Sequence, residues 1–153
     1  MAEKKKYIYD WPMPMVTTDA VVFSLKPGGA EVLLIKRANE PFKGQWAIPG
    51  GFIGIDEELE DAVVRELFEE TNLSGVRLHQ LHTFGKCGRD PRGRQITIVF
   101  AGILKEPAAK IKGGDDAAEA RWFDIELLPE NLAFDHKEVL RYAIAKFNAG
   151  EIK

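Results

Sequence analysis

Residues 50–73 read GGFIGIDEELEDAVVRELFEETNL, and the second half of this stretch predicts one helix from Glu57 to Asn72. No Gly or Pro interrupts that span, and acidic residues crowd its first turn, where the positive end of a helix dipole favours them. Asn72 tolerates the left-handed backbone that ends many helices. Placed at about 100° per residue, Leu59, Val63 and Leu67 share one broad face, flanked by Ala62 on one side and by Val64 and Phe68 on the other. Glu66 and Glu70 fall inside that face rather than opposite it, with Glu69 beside them. Carboxylates four apart repel on a helix surface, and an unpaired buried one is costly or takes a proton. Three converging carboxylates therefore call for a cation, and hard oxygen ligands suit Mg²⁺ or Mn²⁺ better than Zn²⁺. Arg65 is spaced to reach Glu69 one turn on and Asp61 one turn back.

The rest of the chain is read outward from that helix. Upstream, 17–25 (TTDAVVFSL) and 30–37 (AEVLLIKR) read as strands joined by the turn Lys26-Pro27-Gly28-Gly29. Downstream, 75–86 and 95–104 alternate as strands, and between them lies CGRDPRGR, a loop with Arg89, Arg92 and Arg94. Beside a carboxylate site, such guanidinium forks suit phosphate. A strand over ARWFDI and an amphipathic helix from Asp135 to Gly150 follow, with Asp135 as N-cap and Gly150 as stop. This order predicts an α+β sandwich: a mixed central sheet flanked by the 57–72 helix and the C-terminal helix.

Length and composition narrow the function classes. At 153 residues, 45% hydrophobic and 29% charged, the chain reads as a tail (1–16) followed by a single domain (17–153). A net charge of −3 offers no footprint for nucleic acid. No apolar run is long enough to cross a bilayer, Lys4–Lys6 are followed by no secretory core, and the expected address is the cytoplasm. Cys87 is the only cysteine, so no intrachain disulfide forms, and it reads as a small buried or half-buried thiol. The aromatic tail, with Tyr7, Tyr9 and Trp11, is expected to pack on its own domain or on a second subunit.

The 50–73 stretch resembles the Nudix box, G-x5-E-x7-R-E-U-x-E-E-x-G-U, where U is a bulky aliphatic residue. Gly51, Glu57, Arg65, Glu66, Leu67, Glu69, Glu70 and Leu73 match it, and Asn72 stands where the pattern has Gly. The resemblance implies an α/β/α sandwich and a metal held by Glu66, Glu69, Glu70 and the Gly50 carbonyl, with Arg65 and Glu57 orienting. Glu66 and Glu70 are the central catalytic carboxylates in that reading. The general base is not fixed within the family and often comes from a loop outside the box, for which Asp116 and Glu119 are candidates here and Asp115 a weaker one.

A narrower similarity, carried by VTTDAVVF, PFKGQWAIPGGF, TFGKCGRDPRGRQITIVF and LAFDHKEVL, is to Nudix proteins tied to ADP-ribose. It implies a small-molecule nucleotide-sugar substrate, with Arg37, Arg89 and Arg94 on phosphate or ribose, Phe42 on a base, and Asp135 and His136 near the pocket. A helix cap and a surface histidine are the alternative readings of those last two. Some members of the group hydrolyse ADP-ribose, and others sense it as regulators with a winged-helix domain, which is not expected within these 153 residues. A nucleoside-triphosphate sanitiser is the competing enzyme reading. The resemblance and the aromatic tail together favour a homodimer.

Overall fold

The computed structural model describes residues 6–105, 111, 113–114 and 116–153. Its strands are β1 (Met15–Lys26), β2 (Gly29–Arg37), β3 (Trp46–Ala47), β4 (Gly50–Phe52), β5 (His79–Phe84), β6 (Gln95–Leu104) and β7 (Ala117–Asp124); the helices are α1 (Leu59–Thr71) and α2 (His136–Asn148). β1 and β6 run parallel in the middle of one seven-stranded sheet, and the other pairings are antiparallel.

Strand alternation distributes the core over two faces. Val21, Phe23, Val32, Leu34, Val99 and Ala101 point to the side covered by Val139, Leu140 and Ala143 of α2. Ala20, Val22, Leu33, Ile98 and Phe100 point to the side covered by Val63 and Leu67 of α1. Covering both faces explains why the central strands read as nearly unbroken apolar runs. The sandwich with a mixed sheet between two helices is the architecture expected from the sequence.

What positions the cavity is a split in this sheet. β1 and β2 pair only near their hairpin, from Phe23↔Val32 to Lys26↔Gly29, and then part. β4 takes the freed edge of β1 at Thr17–Asp19, and β3 takes the freed edge of β2 at Ile35–Lys36. Groups from both faces of the sheet can look into the resulting wedge.

Several details depart from the sequence reading. β3 and β4 appear as strands between 38 and 58, where the sequence reading places none, and β5 covers only His79–Phe84 of the expected 75–86. Helix α1 starts at Leu59, because Glu57 turns its carboxylate back onto the Gly54 N–H instead of entering the helix. Asn72 does end it in the left-handed region, at φ 59°. Val64 and Phe68, expected to extend the core-facing side, are half exposed, while Glu70 and Thr71 are buried. The Asp135 carboxylate makes no cap on α2, being engaged by Arg89. Cys87 is exposed rather than buried. Among the described residues no helix is long and apolar enough to cross a membrane.

Candidate active site

A cavity of about 260 Å³ opens at the wedge. Ten polar or charged side chains are buried among the described residues, and Thr17, Asp19, Glu70, Asp90, Gln95 and His136 all line this one cavity. A fold tolerates buried polar groups where they are paired or used, so this concentration marks the site.

One wall is acidic. α1 carries Glu66 and Glu70 on its buried side, and Gly50 and Gly51 let the chain pass over them. A Cβ at Gly51 would stand 2.5 Å from the Glu66 carboxylate carbon, and one at Gly50 would stand 2.2 Å from the Thr18 carbonyl oxygen. The Gly50 N–H donates to Glu70 Oε2 at 2.9 Å. That single bond does not offset burial, which together with Glu66, Asp19 and Asp116 pushes the Glu70 carboxyl up to about 8. Burial also raises Glu66, against the pull of Arg65.

Arg65 organises the opening of the helix. Its guanidinium donates to Glu57 at 2.6 and 2.9 Å, to Glu66 at 2.7 Å, to Glu69 at 3.0 Å and to the Phe52 carbonyl at 3.1 Å. Its partner at the start of the helix is therefore Glu57 rather than Asp61. Hydrogen bonds from Arg65 and the Gly54 N–H hold Glu57 down at about 2.

The acidic donors suit a divalent cation. They are hard oxygens, and Glu70 is a carboxylate whose charge the protein itself leaves uncompensated. Arg65 pairs with Glu66 and Glu69, and no three acidic, His or Cys side chains are gathered into a finished cage among the described residues. Glu69 is half exposed and stands outside the cavity lining.

The opposite wall is cationic and aromatic. Arg37 and Arg92 place their guanidinium carbons 4.9 and 5.2 Å from the centroid of Phe134. Arg92 also lies 5.3 Å from the Phe52 ring. Arg37 donates through Nε to the Pro41 carbonyl, and burial, then Arg92, lower its pKa. Arg92 is anchored by Asp90 at 2.8 Å. Phe134 adopts φ 52° and meets Phe42, itself at φ 62°, edge-on at 4.8 Å. Two aromatic residues in a backbone region that costs about 1–3 kcal/mol each are a usual mark of a built site.

The sequence candidates divide accordingly. Gly50, Glu66, Glu70, Arg37, Arg89, Asp116 and His136 line the cavity. Arg89, however, has its fork closed on Asp135, at 2.7 and 2.9 Å. Phe42 lies behind Phe134, and Arg94 donates to the Gly85 carbonyl on the exposed side of its loop. Asp116 accepts a hydrogen bond from Asn39 at 2.8 Å, whereas Glu119 pairs with Arg121 and does not reach the cavity. Asp115 lies outside the described residues. His136 is buried rather than superficial: its Nδ1 accepts the Ile48 N–H at 3.0 Å, and burial lowers its pKa.

Arg92, one of the loop arginines expected to suit phosphate, lines the cavity, and Asp19, Asp90 and Gln95 join the site without having been singled out. Asp19 had a signal, a lone carboxylate inside the apolar run TTDAVVFSL. Gln95 had none, because only the parallel register of β1 and β6 brings it to the wedge.

The NUDIX domain family matches residues 13–143. The chain is 44% identical over 128 residues to an ADP-ribose pyrophosphatase of Methanocaldococcus jannaschii, covering 84% of this chain and 72% of that protein. It is 34% identical over 142 residues to an ADPR-responsive transcriptional repressor of Acinetobacter baylyi, covering 91% of this chain and 56% of that longer protein. Among solved structures, a NUDIX domain of Shewanella oneidensis NrtR complexed with ADP ribose superposes with a TM-score of 0.80 at 32% identity, covering 91% and 94% of the two chains. A MutT/nudix family protein from Enterococcus faecalis superposes with a TM-score of 0.82 at 31% identity, covering 94% of this chain and 66% of that one.

Proposed function

The chain belongs to the Nudix hydrolase family, and from that premise we propose that it hydrolyses the pyrophosphate bond of ADP-ribose or a related nucleoside diphosphate sugar. The products are a nucleoside monophosphate and a sugar phosphate. One observation carries the reading: the cavity brings Glu66 and the buried Glu70 together with a guanidinium pair on an aromatic ring. A diphosphate flanked by organic groups matches both walls once a cation covers the acids.

Glu66, Glu69, Glu70 and the Gly50 carbonyl would hold Mg²⁺, with Mn²⁺ as a substitute. When bound, such an ion neutralises the diphosphate and acidifies a water. Arg65 holds Glu66 and Glu69 in place and is itself held by Glu57. Arg37 and Arg92 take phosphate oxygens on the far side, where guanidinium forks give both charge and direction. Asp116 is the base: Asn39 occupies its Oδ1, and Oδ2 accepts the proton of the attacking water. The water oxygen bonds to one phosphorus, the bridging P–O bond breaks, and the bridging oxygen leaves on the other phosphate. Little covalent help is needed beyond positioning and charge.

The test is incubation with Mg²⁺ and ADP-ribose, GDP-mannose, UDP-glucose, NADH and the dNTPs, with products identified by mass. AMP and ribose 5-phosphate in equal amounts are expected. Pyrophosphate released from a dNTP would replace this reading with a sanitiser. The similarity to an ADPR-responsive repressor keeps a sensing role in view, and Glu70→Gln separates the two. An enzyme loses turnover by orders of magnitude, whereas a sensor keeps its ligand affinity without metal.

A further inference from the structure

The wall of the cavity nearest α2 carries hydrogen-bonding groups that the reaction above does not use. Gln95 opens β6, is 1% exposed and lines the cavity, yet its Nε2 has no hydrogen-bond partner. A buried donor left unpaired by its own fold calls for a partner from outside. His136 stands on the same wall. Because its Nδ1 accepts the Ile48 N–H, the ring proton of the neutral imidazole sits on Nε2, which is left as a donor. Asp19 is buried, lines the same cavity and accepts the Thr97 hydroxyl through Oδ2.

Strand register explains why these residues meet. Thr97 pairs with Thr17, and Val99 with Asp19, in the parallel β1–β6 ladder. Gln95, Thr97, Thr17 and Asp19 thus alternate onto the same face of the sheet, and α2 begins over that face with His136.

The chemistry of this wall is selective. Two uncharged donors and a carboxylate in one lining offer a phosphate little, since Asp19 repels it and Arg89 is closed on Asp135. A hydroxyl group, by contrast, both accepts and donates. Neighbouring hydroxyls can accept from Gln95 and His136 while donating to Asp19. We propose that Asp19, Gln95 and His136 form a subsite that reads the sugar hydroxyls of the substrate, so that Gln95 is a specificity-determining residue. This rests on the nucleotide-sugar reading and specifies which part of the ligand meets which wall.

The variant that tests it is Gln95→Met, which keeps the volume and removes the amide. Steady-state kinetics are compared for ADP-ribose and for analogues each lacking one ribose hydroxyl. The variant is expected to raise KM for ADP-ribose about tenfold, the worth of one neutral hydrogen bond, with kcat little changed. On the analogue lacking the hydroxyl that Gln95 meets, variant and wild type should have equal KM. The Tm of the free variant should hold or rise, because the Nε2 donor it loses was unpaired. Equal losses on every analogue, no loss on any, or a lowered Tm with uniform loss would each overturn the subsite. If wild type turns over ADP-ribose while the variant is indifferent, only this inference falls. If wild type neither binds nor hydrolyses any of these ligands, the nucleotide-sugar reading falls and takes the subsite with it.

Discussion

Glu70 shows at the scale of one residue how function opposes stability. Its carboxyl is buried against Asp19 and Glu66 and is pushed up to about 8 from an ordinary 4.5. A folded-state pKa above the unfolded one means that the native state holds the extra proton. That contribution to stability is complete below pH 4.5 and is lost as pH rises through about 8. His136 works in the opposite direction, but only below its ordinary 6.5, where its buried neutral ring must resist protonation. The clean window is therefore pH 6.5 to 8. In metal-free buffer, wild-type Tm should fall across that window, and Glu70→Gln should flatten much of the slope. At pH 8 the variant should be the more stable, by on the order of a few kcal/mol. Thermal melts at several pH values check this, and parallel slopes would refute it. Adding Mg²⁺ should raise the Tm of wild type and leave the variant nearly unmoved, since only a ligand that binds the native state stabilises it.

At the scale of elements, the site depends on the shortest strands, β3 and β4, which the sequence did not reveal. Two or three residues are too few to display alternation, and their pairing partners are the edges left free where β1 and β2 part. The box helix was legible because its pattern breaks a rule: acids on the buried side of an amphipathic helix make sense only beside a cation. The same pattern misled in one respect, since Val64 and Phe68 yield the buried side to Glu70 and Thr71. The two glycines before the helix separate packing from chemistry. At Gly50 an added methyl meets the Thr18 carbonyl and the Asp19 backbone, neither of which can move cheaply. At Gly51 it meets only the end of the Glu66 side chain. Gly50→Ala should therefore lower Tm by several degrees, corresponding to about 1–3 kcal/mol of overpacking. Gly51→Ala should leave Tm nearly intact but displace Glu66 and cut kcat at least tenfold. If both variants lose stability equally, Gly51 is a packing residue and this division of labour is wrong.

For the whole molecule, the layered core follows from apolar strands too long and too uniformly hydrophobic to face water on either side. The tail does not follow from the domain in the same way. Residues 6–14 form no helix or strand, and Ile8, Trp11 and Met13 are 88%, 79% and 61% exposed. Large apolar groups gathered on one surface segment mark a contact surface, which supports the homodimer as a proposal. A second copy is the economical occupant, because a two-fold contact would cover both tails at once. Light scattering should then give twice the chain mass at micromolar concentration. Ile8→Glu combined with Trp11→Glu should shift the mass to that of the monomer. Because both side chains stand in solvent, the double variant should fold normally, so a monomer with unchanged circular dichroism would locate the contact in the tail. Wild type running as a monomer, or the double variant remaining a dimer, would remove the tail from the assembly. The tail residues do not line the cavity, so the monomeric variant should keep its kcat, and a large loss would mean that the partner shapes the site.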